Sequence, residues 1–88
     1  MNKVFLTGKM KVVPEVMHTP KGERVISFPL WTEDDAFSID VVYADQQGIK
    51  DFSRMIGSKI MVSGILIKSM DRPHEFRLKA HNIFWMEE

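Results

Sequence analysis

The chain is 88 residues long, enough for one hydrophobic core and not two, because each half would fall below the size at which a domain folds without staples. It is 44% apolar and contains no cysteine, which excludes a disulfide framework, a cysteine zinc ribbon and a thiol nucleophile. Twelve Lys and Arg balance twelve Asp and Glu, so net charge by itself indicates neither a polyanionic nor an acidic partner.

No run approaches the roughly 18 apolar residues of a membrane span, and Met1-Asn2-Lys3-Val4 lacks the apolar stretch of a signal peptide, so the expected location is the cytoplasm. The charges are uneven. Residues 33–51 hold six acids and one base, while the segments on either side are net basic. The acidic excess centres on Glu33-Asp34-Asp35, a triplet that reads as a solvated turn.

Taken in chain order, Val4, Leu6, Met10 and Val12 recur at every second position with Gly8 in phase, which predicts a half-buried strand over 3–13. Gly8 on the apolar phase marks a bend or a close backbone approach, as a barrel corner requires. Pro14 ends ladder pairing, Val16 to Thr19 is a short extended piece, and Pro20-Lys21-Gly22 is a tight turn. Val25, Phe28 and Leu30 carry a second strand whose alternation slips near Pro29, implying a bulge or an edge.

Phe37 to Tyr43 is dense in β-branched and aromatic residues and forms a third strand, with Phe37, Ile39, Val41 and Tyr43 on one phase. Asp45 is placed to cap a short helix carrying Ile49, Phe52 and Ile56, with Gly57 as its C-terminal stop. Lys59 to Ser69 is a long fourth strand with apolar residues on both phases. Asp71-Arg72-Pro73 turns the chain into a fifth strand through Phe76, Leu78 and Ala80 towards Ile83 and Trp85. Five strands with one helix between the third and fourth is the order of an all-β Greek-key barrel of the OB-fold type, spanning residues 1–88 as one domain.

Several short motifs then occur in a fixed order. Asn2-Lys3-Val4-x-Leu6-x-Gly8-Lys9-Met10 is followed by Pro14-Glu15-Val16 and Thr19-Pro20-x-Gly22, then by Val25-x-x-Phe28-x-Leu30. Gly57-Ser58-x-Ile60-x-Val62-x-Gly64-x-Leu66 and Ala80-x-x-Ile83 complete the series. Over nearly its whole length the chain resembles the bacterial single-stranded DNA-binding proteins. A short, charge-neutral relative without the glycine-rich linker and acidic tail also resembles the primosomal replication protein N family.

The resemblance implies sequence-independent binding of single-stranded DNA in replication, repair or recombination, by a homo-oligomer (dimer or tetramer) of OB-folds, without catalysis, cofactor or metal. The sequence stops at Trp85-Met86-Glu87-Glu88, so partners recruited through the family's acidic tail are not expected. Such binding needs cations for phosphates and flat rings for bases, each stacked base contributing about 1–3 kcal/mol. Phe37 and Tyr43 fall where the family carries stacking rings, and Trp31 ends the second strand on the phase opposite Leu30. Trp85 and Phe52 are expected to pack.

Lys3 and Lys9 stand at basic positions of the family, and Lys11, Lys68, Arg72 and Arg77 lie on strands and a hairpin tip expected to border the groove. Some groove chemistry is missing: Met17, Ile65 and Ser69 replace bases, Asp71 falls near an aromatic position, and Asp40 takes an apolar one. Ile65 and Ile67, if exposed, would form an apolar stripe suited to a subunit interface. The alternative is an interaction module in which the same barrel is chiefly a partner surface for a primosome, phage or mobile-element protein. His18, His74 and His81 have no metal-ligand spacing, and no phosphate loop or nucleophile elbow is present.

Overall fold

The computed structural model describes residues 1–45, 52, 54–72 and 74–86. Its strands are β1 (Val4–Met10), β2 (Glu15–His18), β3 (Arg24–Trp31), β4 (Ser38–Ala44), β5 (Lys59–Lys68) and β6 (Phe76–Met86). β1 pairs antiparallel with β5 over Val4–Lys9 and with β3 at Lys9 and Met10, which closes the sheet through β5, β6, β4 and β3. Five long strands thus make the expected all-β barrel, and β2 lies along β3 outside the ring.

Alternation fills the interior. Met10, Ile26, Phe28, Leu30, Val41, Ile60, Val62 and Leu78 are fully buried, one or more from every strand of the ring. Removing such surface from water, at about 25 cal/mol per Å² of apolar area, is what holds a chain this small together.

Gly8 does mark a close approach: a Cβ there would collide with the carbonyl oxygen of Trp31, where β1 leaves β5 for β3. The first strand stops at Met10 and not at 13, because the Met10 carbonyl accepts from Gly57 N–H at 2.8 Å and the chain kinks into β2. Pro29 causes no bulge, since the β3–β4 register runs unbroken from Val25–Ala44 to Trp31–Ser38. On its other side β3 pairs with β2 up to Ser27 and with β1 from Leu30, so a residue without an N–H fits the gap.

The register irregularity lies elsewhere. Ser63 faces Asn82 but Gly64 faces Ala80, so His81 is an extra residue on β6 and the inward phase switches from Leu78 and Ala80 to Ile83.

The helix expected between Asp45 and Gly57 requires correction. Much of it falls on 46–51 and 53, outside the described residues, and no helix occurs among the described ones. What is described is a turn: the Phe52 carbonyl accepts from Met55 and Ile56 N–H, and Gly57 then takes a φ of 81°. Ile56 bridges to Met10, so the backbone here is directed to β1. Phe52 and Met55 are nonetheless buried in the core, as the apolar spacing of this segment requires.

Candidate nucleic-acid interface

Trp31 ends β3 in register with Ser38 on one side and Lys9 on the other. Its ring is half-buried, and Lys11 Nζ lies 4.7 Å from its centroid, where the negative face of the indole attracts a cation. The same ammonium is 2.9 Å from Asp35 Oδ1. Across the β1–β5 ladder Lys59 pairs with Lys9, and its Nζ is 2.8 Å from Glu33 Oε1, which also accepts from the Thr7 hydroxyl at 3.1 Å. Bonding to Lys59, then to Thr7, holds the Glu33 carboxyl below its ordinary value of 4.5.

The acidic turn has a defined shape. Thr32 N–H donates to the Phe37 carbonyl, closing the loop, and Asp34 Oδ1 accepts from the Thr32 hydroxyl at 2.7 Å and from Ala36 N–H at 3.1 Å. Those two bonds, the hydroxyl first, lower the Asp34 pKa from 3.8. Asp35 adopts a left-handed φ of 55°, a conformation Asp and Asn tolerate better than most residues.

Beyond Trp31, Phe37 and Phe76 stand on a groove of about 430 Å³ that also meets Asp40, Arg72 and Glu75. Both rings are more than half exposed, at 55% and 54%. Lys68 is exposed opposite Phe76, and Arg77, half-buried, is in register with Asp40. The arginines have carboxylate neighbours of their own: Arg72 Nη1 is 3.4 Å from Glu75 Oε2, and Arg77 Nη2 is 3.8 Å from Asp71 Oδ2. Phe76 and Lys59 were missed in the sequence. Phe76 reads there as an inward strand residue, yet as the first residue of β6 it sits at the barrel rim.

Not every expected residue joins this band. Tyr43 is buried at 7% exposure, a correction to its expected stacking role. It shares a phase with Val41, which is fully buried, so that phase faces the interior of the barrel. Phe37, although on the same phase in the sequence, precedes β4 and escapes burial. Asp40 lies on the outward phase and is exposed, so it is not a buried carboxylate.

Lys3, just before β1, lies six residues from Lys9, roughly 20 Å at about 3.4 Å per extended residue, with its Nζ 5.2 Å from the Phe5 ring centroid. Ile65 and Ile67 point outward but are half-buried, in register with Lys79 and Arg77. The barer apolar surface is Phe5 with Phe84, exposed at 61% and 47% around a depression that reaches Ile65. Phe5 was legible, since it shares the phase of Lys9 and Lys11. Trp85 is 41% exposed and not packed, because it lies one residue from the end of β6.

No protein-family model matches the chain, and no curated protein matches it in sequence. Solved structures do match in shape. The single-stranded DNA-binding protein of Thermus aquaticus superposes with a TM-score of 0.79 at 20% identity, over 100% of this chain and 41% of that one. The chain therefore spans less than half the length of the Thermus protein. The dimeric N-terminal domain of PriB from Thermoanaerobacter tencongensis gives 0.75 at 20% identity, over 99% and 98% of the two chains. A mitochondrial single-stranded DNA-binding protein of S. cerevisiae gives 0.72 at 10% identity, over 98% and 94%. The barrel thus has the fold of these proteins, in line with the resemblance carried by the sequence motifs.

Proposed function

We propose that the chain binds single-stranded DNA without sequence preference, as an OB-fold module in cytoplasmic DNA replication, repair or recombination. The observation that carries this reading is the Trp31 corner, where one indole and three lysines (Lys9, Lys11 and Lys59) share the outer wall beside the groove of Phe37 and Phe76. Stacking needs no hydrogen-bond match to any one base, and ammonium groups meet phosphates wherever they fall. Nothing in this role asks the protein to make or break a bond. The likeness in fold to two proteins named for single-stranded DNA binding supports it.

The chain acts as a homodimer in this reading, through the outward face of β1, β5 and β6 bearing Phe5, Ile65 and Phe84. The dimeric PriB domain supports that assembly.

Titration with labelled oligo-dT tests the function. Binding quenches tryptophan fluorescence and weakens with salt at a log–log slope of about −0.7 per phosphate neutralised. Absence of binding at low salt by the folded protein refutes it. The second reading, a protein-interaction module of a primosome, phage or mobile-element complex, is favoured by the carboxylates paired with the groove cations. It predicts no response to oligo-dT at any salt concentration.

A further inference from the structure

We propose that the acidic turn between β3 and β4 is an intramolecular stand-in for the DNA backbone: it holds Lys11 and Lys59 on its own carboxylates and keeps the Trp31 ring covered until a strand displaces it. The inference rests on the reading of the chain as a binder of single-stranded DNA and adds a regulatory element to that same surface.

The geometry is that of a competitor. Asp35 and Glu33 approach the two ammonium groups at 2.9 and 2.8 Å, the separations a phosphate oxygen would take in their place. Asp35 also fixes where Lys11 sits, and Lys11 lies over the indole face on which a base would stack. One carboxylate therefore occupies a phosphate-binding cation and, through it, a base-binding ring.

The turn is built to aim these groups. Asp34 spends its carboxylate inside the loop on Thr32 and Ala36, while Glu33 and Asp35 on either side of it reach the lysines. The Thr32–Phe37 backbone bond and the left-handed Asp35 hold that arrangement. At the same time the pairs are open to solvent, with side-chain exposures of 43% and 59% for Lys11 and Asp35 and 32% and 50% for Lys59 and Glu33. Exposed pairs of this kind are weak and screened by salt, so an incoming polyanion can exchange for them.

Removal of the charges tests the proposal. The background is Trp85→Phe, which leaves Trp31 as the sole tryptophan. Asp35→Asn keeps a residue that tolerates the left-handed backbone and abolishes the charge. The expected result is greater quenching of Trp31 by acrylamide in the free protein and oligo-dT binding about two- to fivefold tighter at low salt. The log–log salt slope steepens, by less than the about 0.7 of a whole phosphate, because salt no longer relieves a competing Lys11–Asp35 pair in the free protein. Glu33→Gln removes the carboxylate from Lys59 and gives a gain in affinity without uncovering the ring. Glu23→Gln, at the opposite end of β3, removes an equal charge and gives the smaller effect expected of net charge alone. Asp35→Asn and Glu33→Gln binding no more tightly than Glu23→Gln overturns the competitor while the DNA-binding reading stands. If the parent and every variant are folded by circular dichroism and none binds oligo-dT, both are overturned.

Discussion

Trp31 is the residue on which the proposed interface turns, because its position is set by backbone pairing on both sides while its ring stays on the outer wall. Trp31→Ala is expected to weaken oligo-dT binding by about 1–3 kcal/mol, the range for one stacked base, and Trp85→Ala by less. Fluorescence anisotropy at equal folded fraction checks this, and the reverse order would move the interface to the far end of β6. Gly64 matters for the opposite reason. It faces Ala80 at the register shift, where a Cβ would strike the Lys79 carbonyl oxygen and the Ala80 backbone. Backbone cannot step aside as a side chain can, so Gly64→Ala is expected to lower stability by at least about 1–3 kcal/mol in urea denaturation. The effect lies on packing and leaves the Trp31 corner unaltered.

At the scale of the element, the acidic turn couples fold and pH. Glu33 and Asp34 both have folded pKa values depressed by hydrogen bonds to their ionised forms. A depressed carboxyl contributes stability that is fully present above its ordinary value, here 4.5 and 3.8, and is lost as pH falls through the lower folded value. The melting temperature should therefore fall on acidification below about pH 4.5. Asp34→Asn should make that fall shallower; an identical acid limb in the variant would show that the turn contributes nothing there. The strands teach a related lesson. Period-2 alternation marked the first and third of the five long ones, slipped near Pro29 in the second and covered both phases in the fourth, and in the fifth the single extra residue at His81 reverses which phase faces inward. Alternation is a property of one strand, whereas a bulge exists only between two.

On the scale of the whole molecule, balanced charge means that net charge draws no polyanion to this protein, and the proposed binding depends on how its cations are distributed. In the proposed dimer, assembly rests on the Phe5–Phe84 surface, towards the other end of β1 from Lys9. Phe84→Glu places a charge in the Phe5–Phe84 surface and is expected to shift the light-scattering mass from dimer to monomer while the circular dichroism spectrum is retained. An unchanged dimer mass would locate the contact on another face.

Much of the architecture could be read from residues alone: the strand periods, the Pro20–Gly22 turn, the close approach at Gly8 and the order of strands that closes a barrel. These are local properties, written in propensity and alternation. The candidate site was legible only in part. Trp31, Lys9 and Lys11 come together as expected, but Tyr43 is swallowed by the core, Phe76 and Lys59 join unannounced, and the bases already have acidic partners. Glu33 and Lys59 are far apart in the chain and meet only because β1 pairs with both β3 and β5. Which charges face one another is decided by that closure, and no reading of a single strand contains it.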